Sequence, residues 1–314
     1  MKKKAIIVSI KGFKLNHKEK ILLSKKKPWG LILFKRNIKS FNQIKKLILD
    51  IKKLTRDKQF PILIDEEGLS VSRLSSILNH KIDANFFGDL YKLDHNVTIN
   101  LYEKYLESLC KKLKLIGINI NTVPVLDVLR KNTNKIIGKR SFSENEKIVR
   151  QLGEITIRRC HINNIASVIK HIPGHGCSKT DSHLSLPKVN LSISELNKKD
   201  FYPFKKSSAK LAMTAHILYS KIDSKNVSTF SKKIIRNIIR KKIGFKGILM
   251  SDDISMKALK YDLVTNAKKS LAAGCNLVLY CAGNTRDNFK LIKTVPYIDK
   301  FTSKKTSEIY KILR

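Results

Sequence analysis

Short apolar, β-branched runs recur along the chain, each followed by a polar-patterned stretch long enough for a helix. They are Ala5–Ile10, Leu31–Phe34, Pro61–Ile64, Ile118–Val125, Ile165–Ile169, Leu211–Thr214, Gly247–Met250 and Leu277–Tyr280. A strand covered on one face alternates apolar with polar, whereas these runs are apolar throughout, so each predicts a strand buried on both faces. Helix-length connections make neighbouring strands parallel. Helical periodicity falls on Ser40 to Leu54, Thr98 to Leu115, Glu144 to Asn163, Ser231 to Ile243 and Asn266 to Ala273, the last closed by Gly274 at a position suited to a left-handed cap. Eight strand–helix units predict an α/β fold, a (β/α)8 barrel of the TIM type. With no Pro/Gly/Ser-rich linker and no internal repeat, residues 1–314 are expected to form one domain.

Charge changes this picture less than its size suggests. The 314 residues carry a formal net charge of +39, which invites a nucleic-acid partner. Of the 64 basic residues, however, 52 are lysines, spread over the whole length. The densest run, Lys25-Lys26-Lys27, leads into Pro28-Trp29, which looks like a turn into a strand, and no stacking-aromatic motif accompanies it. The expected surface is solvated lysine, with no nucleic-acid partner. No apolar run approaches the roughly 18 residues of a membrane span, and the apolar stretch before Lys11 is too short for a signal-peptide core. Five cysteines without a C-x-x-C pair make a poor disulfide framework, so a reducing cytoplasm is expected.

Candidate chemistry collects where the strands end, which is where active sites of barrels form. Asp65-Glu66-Glu67-Gly68 follows the third run, Asp127 the fourth, Lys170-His171 the fifth, His216 the sixth and Ser251-Asp252-Asp253 the seventh. The strand lifts the Asp252 carboxylate to the barrel mouth. Its bland reading is a cap for a helix starting near Met256, a role Asp253 or Ser255 could fill equally. Two carboxylates in a row permit one cap and one reagent, for which nucleophile is the natural role in sugar hydrolysis. The segment Lys170-His171-Ile172-Pro173-Gly174-His175-Gly176 continues into Asp181-Ser182-His183. There Asp181 would orient and charge-stabilise the His183 imidazole for acid/base work. A zinc or iron site from His171, His175, His183 and Asp181 is the rival. Pro173 and Gly174 keep His171 and His175 off a shared helix face and Lys170 adds repulsion, so no metal or other cofactor is expected. His216 is either a core histidine satisfied by backbone or a direct participant. The glycines form neither a dinucleotide nor a phosphate-loop fingerprint.

Taken in order, Leu31-Ile32-Leu33-Phe34-Lys35-Arg36-Asn37, Asp65-Glu66-Glu67-Gly68 with Val71 and Arg73, Pro124-Val125-Leu126-Asp127 and Ile137-Gly138-Lys139-Arg140-Ser141-Phe142 lead into Lys170–Gly176, Asp181-Ser182-His183, Met213-Thr214-Ala215-His216 and Ser251–Ala258. The series resembles the single-domain bacterial β-N-acetylglucosaminidases of glycoside hydrolase family 3, which act in peptidoglycan recycling. The resemblance implies a cytoplasmic enzyme, expected to be a monomer, that takes a saccharide or muropeptide. It implies Asp252 as nucleophile, His183 as acid/base with Asp181 as its partner, and Asp65, Arg73, Arg140, Lys170 and His171 around a terminal N-acetylglucosamine. It also implies the product side, a 1,6-anhydro-N-acetylmuramoyl peptide. Two positions depart from the family pattern: Leu69 replaces a second glycine, and Cys177 replaces a common acidic residue. Leu69 questions the backbone path to Arg73, because glycine permits dihedrals that leucine resists. The rivals are a β-glucosidase on the same fold and a basic RNA-associated barrel protein without glycosidase activity.

Overall fold

The computed structural model of the chain describes residues 2–178, 180 and 185–314. Eight parallel strands close a barrel in sequence order: β1 (Lys4–Val8), β2 (Pro28–Leu33), β3 (Ile62–Ile64), β4 (Ile120–Asn121), β5 (Ala166–Ile172), β6 (Leu211–Thr214), β7 (Ile248–Asp253) and β8 (Leu277–Leu279), with β8 pairing back onto β1. The predicted (β/α)8 architecture is the one found. A further parallel pair, Lys188–Val189 with Leu218–Tyr219, lies outside the barrel.

Strand alternation sorts the apolar side chains into two layers. Ile7, Ile32, Leu63, Ile120, Val168, Met213, Met250 and Leu279 belong to one cluster that fills the barrel. Their neighbours Leu33, Ile62, Ile64 and Ile169 pack outward with the helix faces. Each strand is therefore apolar on both sides, as its sequence reads.

The strands differ from expectation mainly at their ends. β2 starts at Pro28, and Trp29 is buried with its indole Nε1 donating to Thr306 Oγ1 at 2.8 Å. β4 is far shorter than the run Ile118–Val125. Its asparagines take over ladder positions: Asn119 Oδ1 accepts from the Ile62 N–H and Asn121 Oδ1 from the Glu66 N–H, while Pro124 has no N–H to give. β5 and β7 run on through Lys170-His171-Ile172 and Asp252-Asp253, so the polar residues expected just after those strands still have strand geometry.

Four of the five expected helices form close to their predicted bounds: Phe41–Thr55, His95–Ile116, Glu146–Ile162 and Ile234–Lys242, the last with wider i→i+5 pairing. The fifth starts earlier, at Leu263, where Asp262 accepts from the Val264 and Thr265 N–H groups. That cap replaces the helix expected to start near Met256, where the backbone only turns. Helices Ala84–Leu93, Thr285–Thr294 and Lys300–Ile312 were not anticipated. No helix among the described residues is long and apolar enough to cross a membrane.

Candidate active site

The alternation that fills the barrel also delivers its chemistry. Counting by twos from the inward residues Leu63, Val168 and Met250 reaches Asp65, Lys170 and Asp252. All three line a cavity of about 250 Å³ at the C-terminal mouth. Ile32, Met213 and Leu279, the last inward residues of their strands, also line it, and Val71, Ile136 and Ile137 add apolar surface. Arg73, Arg140, Glu67, His171, His175 and Cys281 complete the wall.

A buried ion-pair cluster occupies one part of this cavity. Lys170 Nζ lies 3.2 Å from Asp65 Oδ1, 2.6 Å from Glu67 Oε1 and 2.9 Å from Thr122 Oγ1. Arg73 donates to Asp65 Oδ2 at 3.1 Å, and Arg140 clamps Glu67 with two bonds of 2.7 and 2.9 Å. Burial alone would push both carboxyls up. For Asp65 the charges of Lys170 and Arg73 prevail and hold it far below the ordinary range, and Arg140 and Lys170 hold Glu67 at about 2. Both are carboxylates at any physiological pH. The arrangement presents fixed donors and acceptors between apolar walls, which suits a neutral polyhydroxylated ligand.

His171 is oriented from behind. Asp127, fully buried, faces His171 Nδ1 at 2.7 Å and accepts from the backbone N–H groups of His171 and His175 at 3.2 and 2.6 Å. A carboxylate only accepts, so Nδ1 carries the proton and Nε2 is the nitrogen left for the cavity. Burial would raise the Asp127 carboxyl, but the two histidines keep it lowered. His175 is pushed down to about 4 by burial and then by His171, so it is neutral at pH 7. Gly176 packs so closely on the Val128 carbonyl that an added Cβ would lie 1.8 Å from its oxygen. Any larger residue would displace the loop.

At the end of β7 the two carboxylates part company. Asp253 accepts from the Ser255 N–H and hydroxyl at 3.1 and 2.6 Å and from the Cys281 N–H at 3.1 Å, so it ties the β7 and β8 loops together. Asp252 lines the cavity. His216 is a buried core histidine: Nε2 donates to the Asp253 carbonyl at 3.0 Å and Nδ1 meets Thr229 Oγ1 at 2.7 Å. Burial lowers its pKa, and it does not line the cavity. Of the two alternatives open for it, the structure selects the core one.

Six of the eight candidate site residues, Asp65, Arg73, Arg140, Lys170, His171 and Asp252, thus converge on one cavity. The other two, Asp181 and His183, lie outside the described residues. Glu67 and Asp127 were given no role from sequence. Glu67 shares the parity of Asp65, two residues on, and that spacing at a strand end was the available signal. For Asp127 there was none beyond its position after β4. Leu69 has an ordinary negative φ and an exposed side chain, so its departure from the family pattern leaves the backbone path unstrained. Cys177 sits beside the Arg130–Asp200 pair, with its thiol pushed well up by burial and then by Asp200. Among the described residues no three His, Cys, Asp or Glu side chains gather as a metal would need.

The chain resembles known proteins over most of its length. The profile described as "Glycosyl hydrolase family 3 N terminal domain" matches residues 2–306. A β-hexosaminidase of Neisseria meningitidis is 32% identical over 297 residues, covering 91% of this chain and 81% of the relative. A β-hexosaminidase of Haemophilus influenzae is 33% identical over 306 residues, covering 93% and 85%. Among solved structures, NagZ from Neisseria gonorrhoeae in complex with N-trifluoroacetyl-D-glucosamine superposes with a TM-score of 0.89 at 29% identity, covering 98% of this chain and 90% of that one.

Proposed function

The chain belongs to glycosyl hydrolase family 3 and is a glycoside hydrolase, and from that premise we propose that it is a retaining exo-β-N-acetylglucosaminidase. Its substrates are saccharides and peptides with a terminal N-acetylglucosamine on 1,6-anhydro-N-acetylmuramic acid, and its setting is cytoplasmic cell-wall recycling by a monomer in which one domain carries the activity. The observation that carries this is the inward placement of Asp252 on a cavity already furnished with the Lys170–Asp65–Glu67–Arg140 cluster. The N-acylated glucosamine in the neisserial structure supports the choice of sugar.

In this mechanism a carboxylate oxygen of Asp252 attacks the anomeric carbon as the bond to the leaving oxygen breaks, and His183 delivers a proton to that oxygen. Neutral His183 then takes a proton from water, the resulting hydroxide oxygen bonds to the anomeric carbon, and the Asp252 ester bond breaks. Asp181 holds and charge-stabilises the imidazole. Asp65, Arg73, Arg140, Lys170 and His171 bind the sugar hydroxyls and acetamide. Their ion pairs are formed before substrate arrives, which spares reorganisation during the reaction.

The test is turnover of nitrophenyl N-acetyl-β-glucosaminide beside nitrophenyl β-glucoside by the purified protein. Preference for the N-acetylated sugar is expected. Equal or better cleavage of the glucoside would replace this assignment with a β-glucosidase, and salt-dependent RNA retention without either turnover would remove the enzyme reading altogether.

A further inference from the structure

Three carboxylates follow β3, and only the outer two face the cavity. Glu66, at the opposite parity, is completely buried behind it. Its Oε2 accepts from the backbone N–H groups of Arg73 and Leu74, both at 2.9 Å, and its Oε1 accepts from Ser72 Oγ at 2.5 Å. The same Oε1 lies 2.7 Å from His80 Nε2, and His80 Nδ1 lies 3.0 Å from the Tyr105 hydroxyl. A carboxylate is acceptor-only, so Nε2 carries a proton toward Glu66. Burial and then the charge of Glu66 push the Tyr105 hydroxyl up, so it is protonated and can donate to Nδ1. A continuous line of hydrogen bonds therefore runs from helix His95–Ile116, through Tyr105, His80 and Glu66, into the peptide N–H of Arg73, whose guanidinium reaches Asp65 Oδ2 at 3.1 Å.

We infer that Glu66 and His80 are positioning residues for Arg73, fixing its backbone so that its guanidinium meets substrate beside Asp65. The inference rests on the proposed role of Arg73 in binding the sugar. The loop from Ser70 to His80 contains no regular helix or strand. The Val71 carbonyl ties its start back to the Glu67 and Gly68 N–H groups and Asp83 accepts from the Ser70 N–H and hydroxyl at 2.7 and 2.6 Å, while the Arg73 N–H itself is held by Glu66. A loop held this way loses alignment rather than chemistry when the clasp is cut. The consequence is weaker substrate binding with little change in the chemical step.

The test compares Glu66→Ala, Glu66→Gln, His80→Ala and Arg73→Ala on an aryl N-acetylglucosaminide, with the Glu66→Ala/Arg73→Ala double variant alongside. Glu66→Ala is expected to raise KM about tenfold while kcat stays within about twofold, because two backbone donors lose their acceptor. His80→Ala should raise KM in the same sense and less. Glu66→Gln should rescue, since an amide oxygen still accepts from both N–H groups and its NH2 can donate to Ser72 Oγ and to a His80 that has moved its proton to Nδ1. Once Arg73 is gone, Glu66→Ala should add little. Full additivity in the double variant, or a lowered melting temperature with unchanged KM, would overturn the inference, as would wild-type KM in Glu66→Ala and His80→Ala while Arg73→Ala alone raises it. Unchanged KM in Arg73→Ala would instead fault the proposed sugar contact first and the inference with it. Should Glu66→Ala not fold, the His80→Ala and Glu66→Gln pair decides the matter by the same KM criterion.

Discussion

The acidic runs after β3 and after β7 look alike in sequence and divide their labour by the same rule. Asp65 and Glu67 share inward parity and line the cavity, while Glu66 turns back to hold the N–H groups of Arg73 and Leu74. Asp252 faces inward, while Asp253 turns back to hold the N–H groups of Ser255 and Cys281. At each strand end the inward carboxylates line the cavity and the outward one holds backbone N–H groups of the loops. The two ends differ in what surrounds the inward groups. Lys170, Arg73 and Arg140 form ion pairs with Asp65 and Glu67 and hold both ionised. Asp252 receives a bond of 2.7 Å from the Asp253 N–H and is proposed to bond to carbon. A run of acids at a barrel mouth is thus a mixture of cavity-lining and loop-holding groups, separable by counting in twos.

Exchanging the roles at β7 has the largest expected effect. Asp252→Ala should lower kcat by more than about 10³-fold with an unchanged melting temperature, because it removes the proposed nucleophile from a cavity wall and no packing. Asp253→Ala should do the reverse, losing stability as the Ser255 and Cys281 N–H groups lose their acceptor and keeping measurable turnover. Kinetics and thermal melts on the two variants check this. A dead Asp253→Ala beside an active Asp252→Ala would invert the assignment.

Stripping a cation from the β3 end should leave a buried carboxylate short of countercharge. Arg140→Met leaves Glu67 buried with Lys170 as its remaining cation, at an expected cost of roughly 3–5 kcal/mol at neutral pH. The sign with pH follows from Glu67, whose carboxyl is held at about 2 in the folded protein against an ordinary 4.5. Stability from that depression is fully present above about 4.5 and is lost as pH falls toward 2. Without Arg140 that contribution shrinks, so the variant starts from a lower stability at neutral pH and its acid unfolding should begin at higher pH than in the wild type, with the gap between the two closing as pH falls toward 2. Circular dichroism across an acid titration measures the midpoint. An unmoved or lower midpoint would show that Arg140 does not set the charge of Glu67.

Asp127 sharpens the comparison, because it lies in the loop after β4 and its carboxylate holds both backbone N–H groups and the cavity-lining His171 ring. In Asp127→Asn one oxygen still accepts from the His171 and His175 N–H groups, but an NH2 now faces His171 Nδ1. Nδ1–H then faces a donor, which favours moving that proton off Nδ1 and removes the bond that orients the ring. A loss of kcat/KM of up to about 10²-fold is expected, with the fold retained. Proton-detected NMR of the His171 ring reports the tautomer directly, and an unchanged tautomer with full activity would reduce Asp127 to a structural role.

The strands and the inward site residues were legible because one periodicity governs both. A run apolar on both faces marks a barrel strand, and continuing its count by two reaches Asp65, Lys170 and Asp252. Two of the helices missed by sequence, Thr285–Thr294 and Lys300–Ile312, carry few apolar residues among lysines: the first buries only Asn288, Leu291 and Ile292, and its start is fixed by the Asn284 side chain. Residues whose partners are remote in sequence were not legible either. Nothing near Asp127 announces His171, 44 positions on, and nothing near Glu67 announces Arg140, 73 positions on. Such contacts arise from barrel closure, which brings neighbouring loops to one mouth, and local pattern does not record them.

The smallest expected effect concerns Leu69, which follows the acidic run of β3 where the family pattern has glycine. Its N–H donates to the Ile82 carbonyl at 3.0 Å, its φ is negative, and its side chain is 56% exposed. The special backbone demand falls on Gly68 instead, whose φ is +157° and where an added Cβ would come within 2.9 Å of the Ile82 oxygen. Leu69→Gly should therefore leave kcat and KM unchanged and cost about 0.5–1 kcal/mol of stability, through the greater freedom of glycine in the unfolded chain. Gly68→Ala, one position earlier, should cost more, since the residue itself is strained and the Ile82 backbone must give way. Denaturant melts of the two variants separate these cases. A Leu69→Gly variant that gained stability would show that leucine is strained at this position after all, and that the loop between Asp65 and Arg73 follows the glycine-requiring path of the family pattern.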